Sequence, residues 1–183
     1  EQIAVLLRSE KNSFALIWES ESHIIVCVDR IRSIPLFVSQ TNNKVCVSND
    51  SRKALEVVKS PKVNWQSVSQ FVVSGYVHGH ATLYREITSP SAGTFAYINK
   101  SDWKISHKSY FVYLPQPIKK YERAQLIQEF GEIIDKAIDR TIEIADGRPI
   151  WVAISGGLDS RLVLAKLKER NYQDQLIEKQ LEN

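Results

Sequence analysis

The sequence contains no methionine. A chain that opens on Glu1 with no methionine anywhere does not read as a complete, unprocessed translation product, and an excised or truncated piece is expected. Cysteine is nearly as scarce, with Cys27 and Cys46 alone. Two cysteines in 183 residues do not make the disulfide framework of a small secreted domain, so a reducing, cytoplasmic setting is the expectation. No apolar run approaches the roughly 20 residues of a membrane-spanning helix, which argues against a membrane partner. The opening Glu1-Gln2-Ile3-Ala4-Val5-Leu6-Leu7-Arg8 also lacks the basic leader and small-residue cleavage site of a signal peptide. Nor is there a marked charge imbalance: 24 Lys and Arg stand against 21 Asp and Glu, a net +3. Basic and acidic residues alternate along the chain, which argues against nucleic acid as a partner. Even the densest basic spot, Lys119-Lys120, reads as a solvated turn.

The apolar residues that are present follow two periods. Runs at 13–18 and 23–29 flank a polar turn at 19–22, a hairpin pattern, and runs at 35–39 and 44–48 repeat it around Thr41-Asn42-Asn43. Their near-continuous apolar character predicts a sheet covered on both faces. Asn49 or Asp50 caps a short helix reaching Lys59, with Ala54, Leu55, Val57 and Val58 as its apolar stripe. A second short helix fits 65–73, ended by Ser74-Gly75, and two strands fit 93–99 and 103–110. Leu114-Pro115-Gln116-Pro117 then breaks the pattern, because two prolines in four residues cannot sit in a central strand. Beyond this linker, Leu126, Ile127, Phe130, Ile133, Ile134, Ala137, Ile138, Ile142 and Ala145 recur at helical spacing. They predict one amphipathic helix over 121–145, stopped by Asp146-Gly147 and Pro149. A short buried strand at 150–154, a glycine turn and a helix over 159–170 follow, and the polar residues 174–183 are expected to fray.

The glycine turn carries the chemistry. Ser155-Gly156-Gly157-Leu158-Asp159-Ser160 joins the strand to the helix. Two residues without a Cβ allow a tight turn and a close approach to the backbone. Successive N–H groups and the positive end of the following helix make a nest for an anion, flanked by the hydroxyls of Ser155 and Ser160. Asp159 is unsuited to an anion but suits a magnesium ion held against phosphates. A polyphosphate with its metal fits the turn. The alternative is that Asp159 only caps the helix. The turn is not a Walker loop, whose lysine and spacing are absent, nor a nucleophile elbow.

Ser-Gly-Gly-x-Asp-Ser in this context resembles the pyrophosphate loop of the ATP-pyrophosphatase superfamily, which adenylates substrates and also includes tRNA-modifying sulfur-transfer enzymes. Upstream, Ser13-Phe14-Ala15-Leu16-Ile17-Trp18, then Asp29-Arg30-Ile31-Arg32-Ser33-Ile34-Pro35-Leu36-Phe37 and Val45-Cys46-Val47-Ser48, are similar to the late strands of a class II glutaminase domain. Gly75-Tyr76-Val77, Thr82-Leu83-Tyr84, Ile87 and Pro90-Ser91-Ala92-Gly93 are similar to the segment that follows such a domain. Over about residues 13–168 the order resembles the glutamine-hydrolysing asparagine synthetase family.

That resemblance implies an α/β chain in three parts. Residues 1–60 would be the C-terminal part of an N-terminal-nucleophile glutaminase sheet, 61–117 a joining segment with a hairpin, and 118–183 the first βα unit of a doubly wound ATP-pyrophosphatase domain. It implies ATP and Mg2+ as cofactors, with Ala153 and Ile154 on the adenine side. Ser155, Gly156, Gly157, Leu158, Asp159 and Ser160 would face the pyrophosphate, with Asp159 toward magnesium. Glutamine and a carboxylate acceptor, aspartate being the commonest, would be partners of the full-length parent, and a homodimer is compatible with the family. Ser33 stands where the family has a glycine, and the N-terminal cysteine nucleophile is missing. Both ends therefore read as cut, and the chain alone is expected to be inactive. A non-catalytic remnant or assembly subunit, and a pyrophosphate-loop tRNA-modifying protein, are the other readings.

Other features read as structural. Cys27 and Cys46 lie in apolar strands and behave as small hydrophobes. His78-Gly79-His80 is a loop without a third metal ligand, His23 and His107 have no role, and Trp18, Trp65, Trp103 and Trp151 are expected to pack cores.

Overall fold

The run Ile24-Ile25-Val26-Cys27-Val28 has no polar residue, so a strand built from it must be covered on both faces. In the computed structural model, which describes residues 2–10, 12–41, 44–115, 122–172 and 176–180, this run forms β2 (His23–Val28). Antiparallel pairing sets it between β1 (Ala15–Glu19) and β6 (Thr94–Asn99), and β7 (Ile105–Ser109) completes the order β1-β2-β6-β7. Alternate side chains leave β2 in opposite directions. Ile24, Val26 and Val28 join Leu36, Val38, Ala96 and Ile98 in one buried cluster. Ile25 and Cys27 join Leu7, Phe95 and Tyr110 in another.

The first cluster draws Val38 from a second antiparallel sheet, ordered β4-β3-β5, of β3 (Phe37–Thr41), β4 (Lys44–Ser48) and β5 (Ile87–Thr88). The other cluster is closed by α1 (Gln2–Ser9), which lies outside the elements predicted from the pattern and brings Ile3, Ala4 and Leu7 to it. Coverage on both faces holds for β2 but fails for β1, where Leu16, Ile17 and Trp18 are exposed. Residues 61–117 supply β5, β6 and β7, so both sheets join strands from the two segments that the sequence set apart.

Two short helices follow their caps. α2 (Ser51–Glu56) starts where Asp50 accepts the N–H of Arg52, and it ends before Lys59. α3 (Trp65–Ser74) is capped by Asn64 and ends at Gly75, whose φ of 77° and N–H bond to the Phe71 carbonyl close the helix. Gly93 is constrained more tightly: φ is 68°, and a Cβ there would stand 2.5 Å from the Phe111 carbonyl oxygen.

Asp29, buried at the end of β2, gathers the backbone around it. Its carboxylate accepts the N–H groups of Phe14 at 3.1 Å and Ile31 at 2.9 Å, and that of Ser33 at 3.1 and 3.2 Å. Its own carbonyl accepts the N–H of Gly93 at 3.0 Å, where β6 begins. Burial pushes the carboxyl up, but the N–H groups of Ile31, Ser33 and Phe14 outweigh it and hold the group below its ordinary value. The left-handed residue of the turn they enclose is Arg32, with φ 57°, and not Ser33. Ser33, read from the sequence as standing at a glycine position, does not itself adopt the left-handed backbone that glycine favours.

The chain divides into two compact units, Glu1–Pro115 and Gln116–Asn183. In the second, α4 (Arg123–Ala145) is followed by β8 (Ile150–Ile154), α5 (Leu158–Glu169) and β9 (Leu176–Gln180). β9 pairs parallel with β8, so the tail expected to fray contains a strand and the βα unit is a βαβ unit. Main-chain hydrogen bonds are available to polar residues too, and a βα crossover places the next segment beside β8. Ile138, Val152, Leu167 and Tyr172 form the buried cluster, with Ile134, Ile142 and Ala145 against it. The apolar face of α4 is thus used only toward its C-terminal end, and Leu126, Ile127, Phe130 and Ile133 remain exposed. β8 is less buried than its composition suggests, because only Val152 is covered and Trp151 is 68% exposed. Asp135 pairs with Lys166 and Arg170 at 3.1 and 3.0 Å, and Asp139 with Arg170, which ties α4 to α5.

The residues Asn42-Asn43, Gln116, Pro117, Lys119-Lys120 and Tyr121, and the tail at 174–175 and 181–183, lie outside the described residues. Among the described residues, no helix is long and apolar enough to cross a membrane.

Replacing Asp29 by Asn keeps the size but turns an acceptor of three N–H groups into a mixed donor and acceptor. Asp29→Asn is expected to lower the unfolding free energy of the first unit by about 2–3 kcal/mol at neutral pH. Since the folded carboxyl is depressed, its stabilisation is complete above the unfolded value of about 3.9 and is lost as pH falls through the folded value. Urea titrations at pH 7 and pH 3 check both parts, because the variant's deficit should shrink at pH 3.

Candidate functional site

β8 ends at Ile154 and α5 begins at Leu158, so Ser155, Gly156 and Gly157 form the whole connection. The Ser155 N–H donates to Ser160 Oγ at 3.1 Å, and the two serine hydroxyls stand 3.3 Å apart. The N–H of Gly157 donates to Ser155 Oγ at 3.3 Å. One hydroxyl lies on the first residue of the turn and the other in the first turn of α5, so the two meet across the loop.

The N-cap of α5 is Gly157, and no side chain caps the helix. Asp159 is its second residue, one turn position too late to cap, which removes the capping alternative. The leading N–H groups of α5 have no side-chain acceptor, and the positive end of the helix dipole meets the loop. Neither glycine has a positive φ. A Cβ on Gly156 would meet nothing within 4 Å, and one on Gly157 would meet only Ser155 Oγ, at 3.4 Å. The tight turn expected from sequence therefore does not itself demand glycine. The reason that fits is room for a ligand to reach the backbone.

Ser155, Gly156, Gly157, Leu158 and Asp159 are exposed, and Ser160 is half-buried. Trp151, Ala153, Asp159 and Ser160 line an open groove of about 680 Å³, walled mainly by apolar side chains such as Phe130, Ile134 and Val163. Ile154 instead packs against the core cluster of this unit. The structure thus brings Ala153, Asp159 and Ser160 to one groove and sets Ile154 apart. Among the described residues, no three His, Cys, Asp or Glu side chains gather as a metal site. Asp159 as a single exposed carboxylate fits a magnesium ion that takes its other ligands from phosphate and water, since Mg2+ keeps several waters and needs few protein oxygens.

The remaining candidates sort differently. Cys27 is fully buried, and burial together with the charge of Asp29 pushes its thiol up to about 12, which makes it inert as a nucleophile. Cys46 is half-buried, and both cysteines are free. Of the tryptophans, Trp103 packs against the first core cluster, but Trp18, Trp65 and Trp151 are exposed. The expectation that all four pack cores is corrected, because their segments are edge or surface elements.

His80 and His107 form a pair that no sequence spacing links. Their rings stack at 3.7 Å with planes 6° apart. His80 Nδ1 lies 3.2 Å from the Ser91 N–H and 3.2 Å from its hydroxyl, and His107 Nδ1 is buried without a partner. Burial holds both imidazoles below their ordinary value, His107 at about 4, where the charge of His80 adds to the effect. The unfolded imidazoles take up protons near pH 6.5 and the folded pair only at lower pH, so stability is complete above about 6.5 and declines toward about 4. Urea unfolding at pH 7, 6 and 5 should show this slope, and His107→Phe, which keeps a ring on the stack, should flatten it.

No family model matches the chain, and no curated protein matches it.

Proposed function

We propose that the second unit is the nucleotide-binding part of an ATP-dependent amidotransferase of the asparagine synthetase type, with the first unit its glutaminase-like part. The observation that carries the reading is the open N-terminus of α5 directly after a strand, with the Ser155 and Ser160 hydroxyls meeting across a glycine turn. The parallel β8–β9 pair supports it, because ligands of open α/β sheets bind beyond the carboxyl ends of the strands, where this loop lies.

In this reading a carboxylate oxygen of the acceptor, with aspartate the first candidate, attacks the α-phosphorus of ATP. The bond from that phosphorus to the bridging oxygen breaks, and pyrophosphate leaves with the electron pair. Ammonia from glutamine then displaces AMP from the acyl-adenylate and leaves an amide. The loop's part is electrostatic: the N–H groups of Gly157 and the first turn of α5, with Ser155 and Ser160, stabilise charge on the departing pyrophosphate. Magnesium at Asp159 would neutralise phosphate oxygens when bound. The groove beside the loop, with Ala153 and Trp151 in its wall, has room for the remainder of the nucleotide.

Titration with ATP in the presence and absence of Mg2+ tests the site. Asp159→Ala should weaken binding about tenfold with magnesium and little without it, and Ser160→Ala should weaken both by a few-fold. Unchanged affinity in both variants would sink the assignment of the loop. For the reaction, glutamine-dependent release of AMP by the protein that carries this loop should disappear with Asp159→Ala.

A further inference from the structure

Arg32 occupies a backbone position that glycine fills more easily, with φ 57° in the left-handed region. Its side chain is half-buried. One terminal nitrogen donates to Ser89 Oγ at 2.7 Å, and Nε is buried with no partner. The Ser89 hydroxyl in turn donates to the Leu36 carbonyl at 2.6 Å, so it faces the guanidinium as a fixed neutral acceptor. Among the described residues, no carboxylate pairs with Arg32. Arginine stays charged in proteins, and a half-buried cation with one neutral partner is an incomplete arrangement.

Arg32 and Ser89 line an open pocket of about 390 Å³ in the first unit, whose wall includes Phe37, Phe71, Tyr76 and Leu83. No acidic residue stands among its lining residues. The volume is that of a small-molecule site, and the pattern is the usual one of apolar walls with few polar groups that fix orientation. One guanidinium matches one carboxylate in charge and in its forked geometry, whereas a phosphate dianion would leave charge uncompensated between apolar walls.

We propose that this pocket binds a small organic acid, with its carboxylate on Arg32 and an aromatic or branched apolar body against Phe37, Phe71 and Tyr76. The site is separate from the nucleotide loop and does not depend on the reading given to that loop. Neither Arg32 nor this pocket takes part in the proposed ligase chemistry.

Phenylacetate is a suitable probe, with phenylacetamide as its neutral counterpart and inorganic phosphate as the bare anion. Titrated into the 183-residue chain and followed by amide NMR, phenylacetate should shift the signals of Gly75 and Ser89 saturably. Phenylacetamide should bind about tenfold more weakly or worse, because it lacks the charge that Arg32 matches. Arg32→Asn and Arg32→Gly remove the cation while suiting a left-handed backbone, and either should cost phenylacetate at least about tenfold in affinity. Equal binding of phenylacetate and phenylacetamide overturns the proposal without recourse to any variant. So does phosphate that shifts the same signals as strongly, or undiminished phenylacetate affinity in the two variants.

Discussion

The first unit depends on the carboxylate of Asp29. One buried side chain accepts backbone N–H groups from the start of β1 and from the turn after β2, while its own carbonyl receives the N–H that opens β6. The start of β1, the turn after β2 and the start of β6 meet at this buried residue. A buried carboxylate is costly unless it is fully hydrogen-bonded, and here the backbone supplies the bonds. The left-handed turn at Arg32 follows from the same constraint, since the chain must fold back on Asp29 within four residues to bring Ser33 to the carboxylate.

Two kinds of unit result. In the first, a second sheet on one side of β2 and helix α1 on the other bury its long apolar strand, and Asp29 is fully bonded there while the His80 and His107 rings stack. In the second, a single βαβ unit and one long helix share a small cluster around Leu167, and an ion-pair network joins α4 to α5. The glycine loop proposed to face pyrophosphate lies in this more open unit. Its N–H groups, hydroxyls and single carboxylate stay accessible because little packs over the end of β8. The proposed anion binding needs that access, and burial would oppose it.

Much of the local structure was legible. Asp50 starts a helix and Gly75 ends one, because a cap is settled within four residues of chain. The hairpins at β1–β2 and β6–β7 follow from apolar runs about a polar turn. The Ser155–Ser160 meeting follows from five residues of spacing at a strand-to-helix turn. Other parts were not legible. α1 has too few residues for its pattern to stand out, and β9 is polar, so neither carries a strong period. The left-handed turn residue was not legible either, since arginine at position 32 gives no sign of a positive φ.

The sequence by itself determined the secondary elements with strong periods, their caps and the composition of the glycine loop, because each depends on interactions within a turn or two of the chain. Tertiary structure alone decided which part of α4 is covered, that residues 176–180 pair with β8, that His80 lies on His107, and that Arg32 enters an aromatic-walled pocket with no counter-ion among the described residues. Those outcomes rest on strand register and on contacts between segments tens of residues apart. No periodicity within one segment encodes what another will bring beside it.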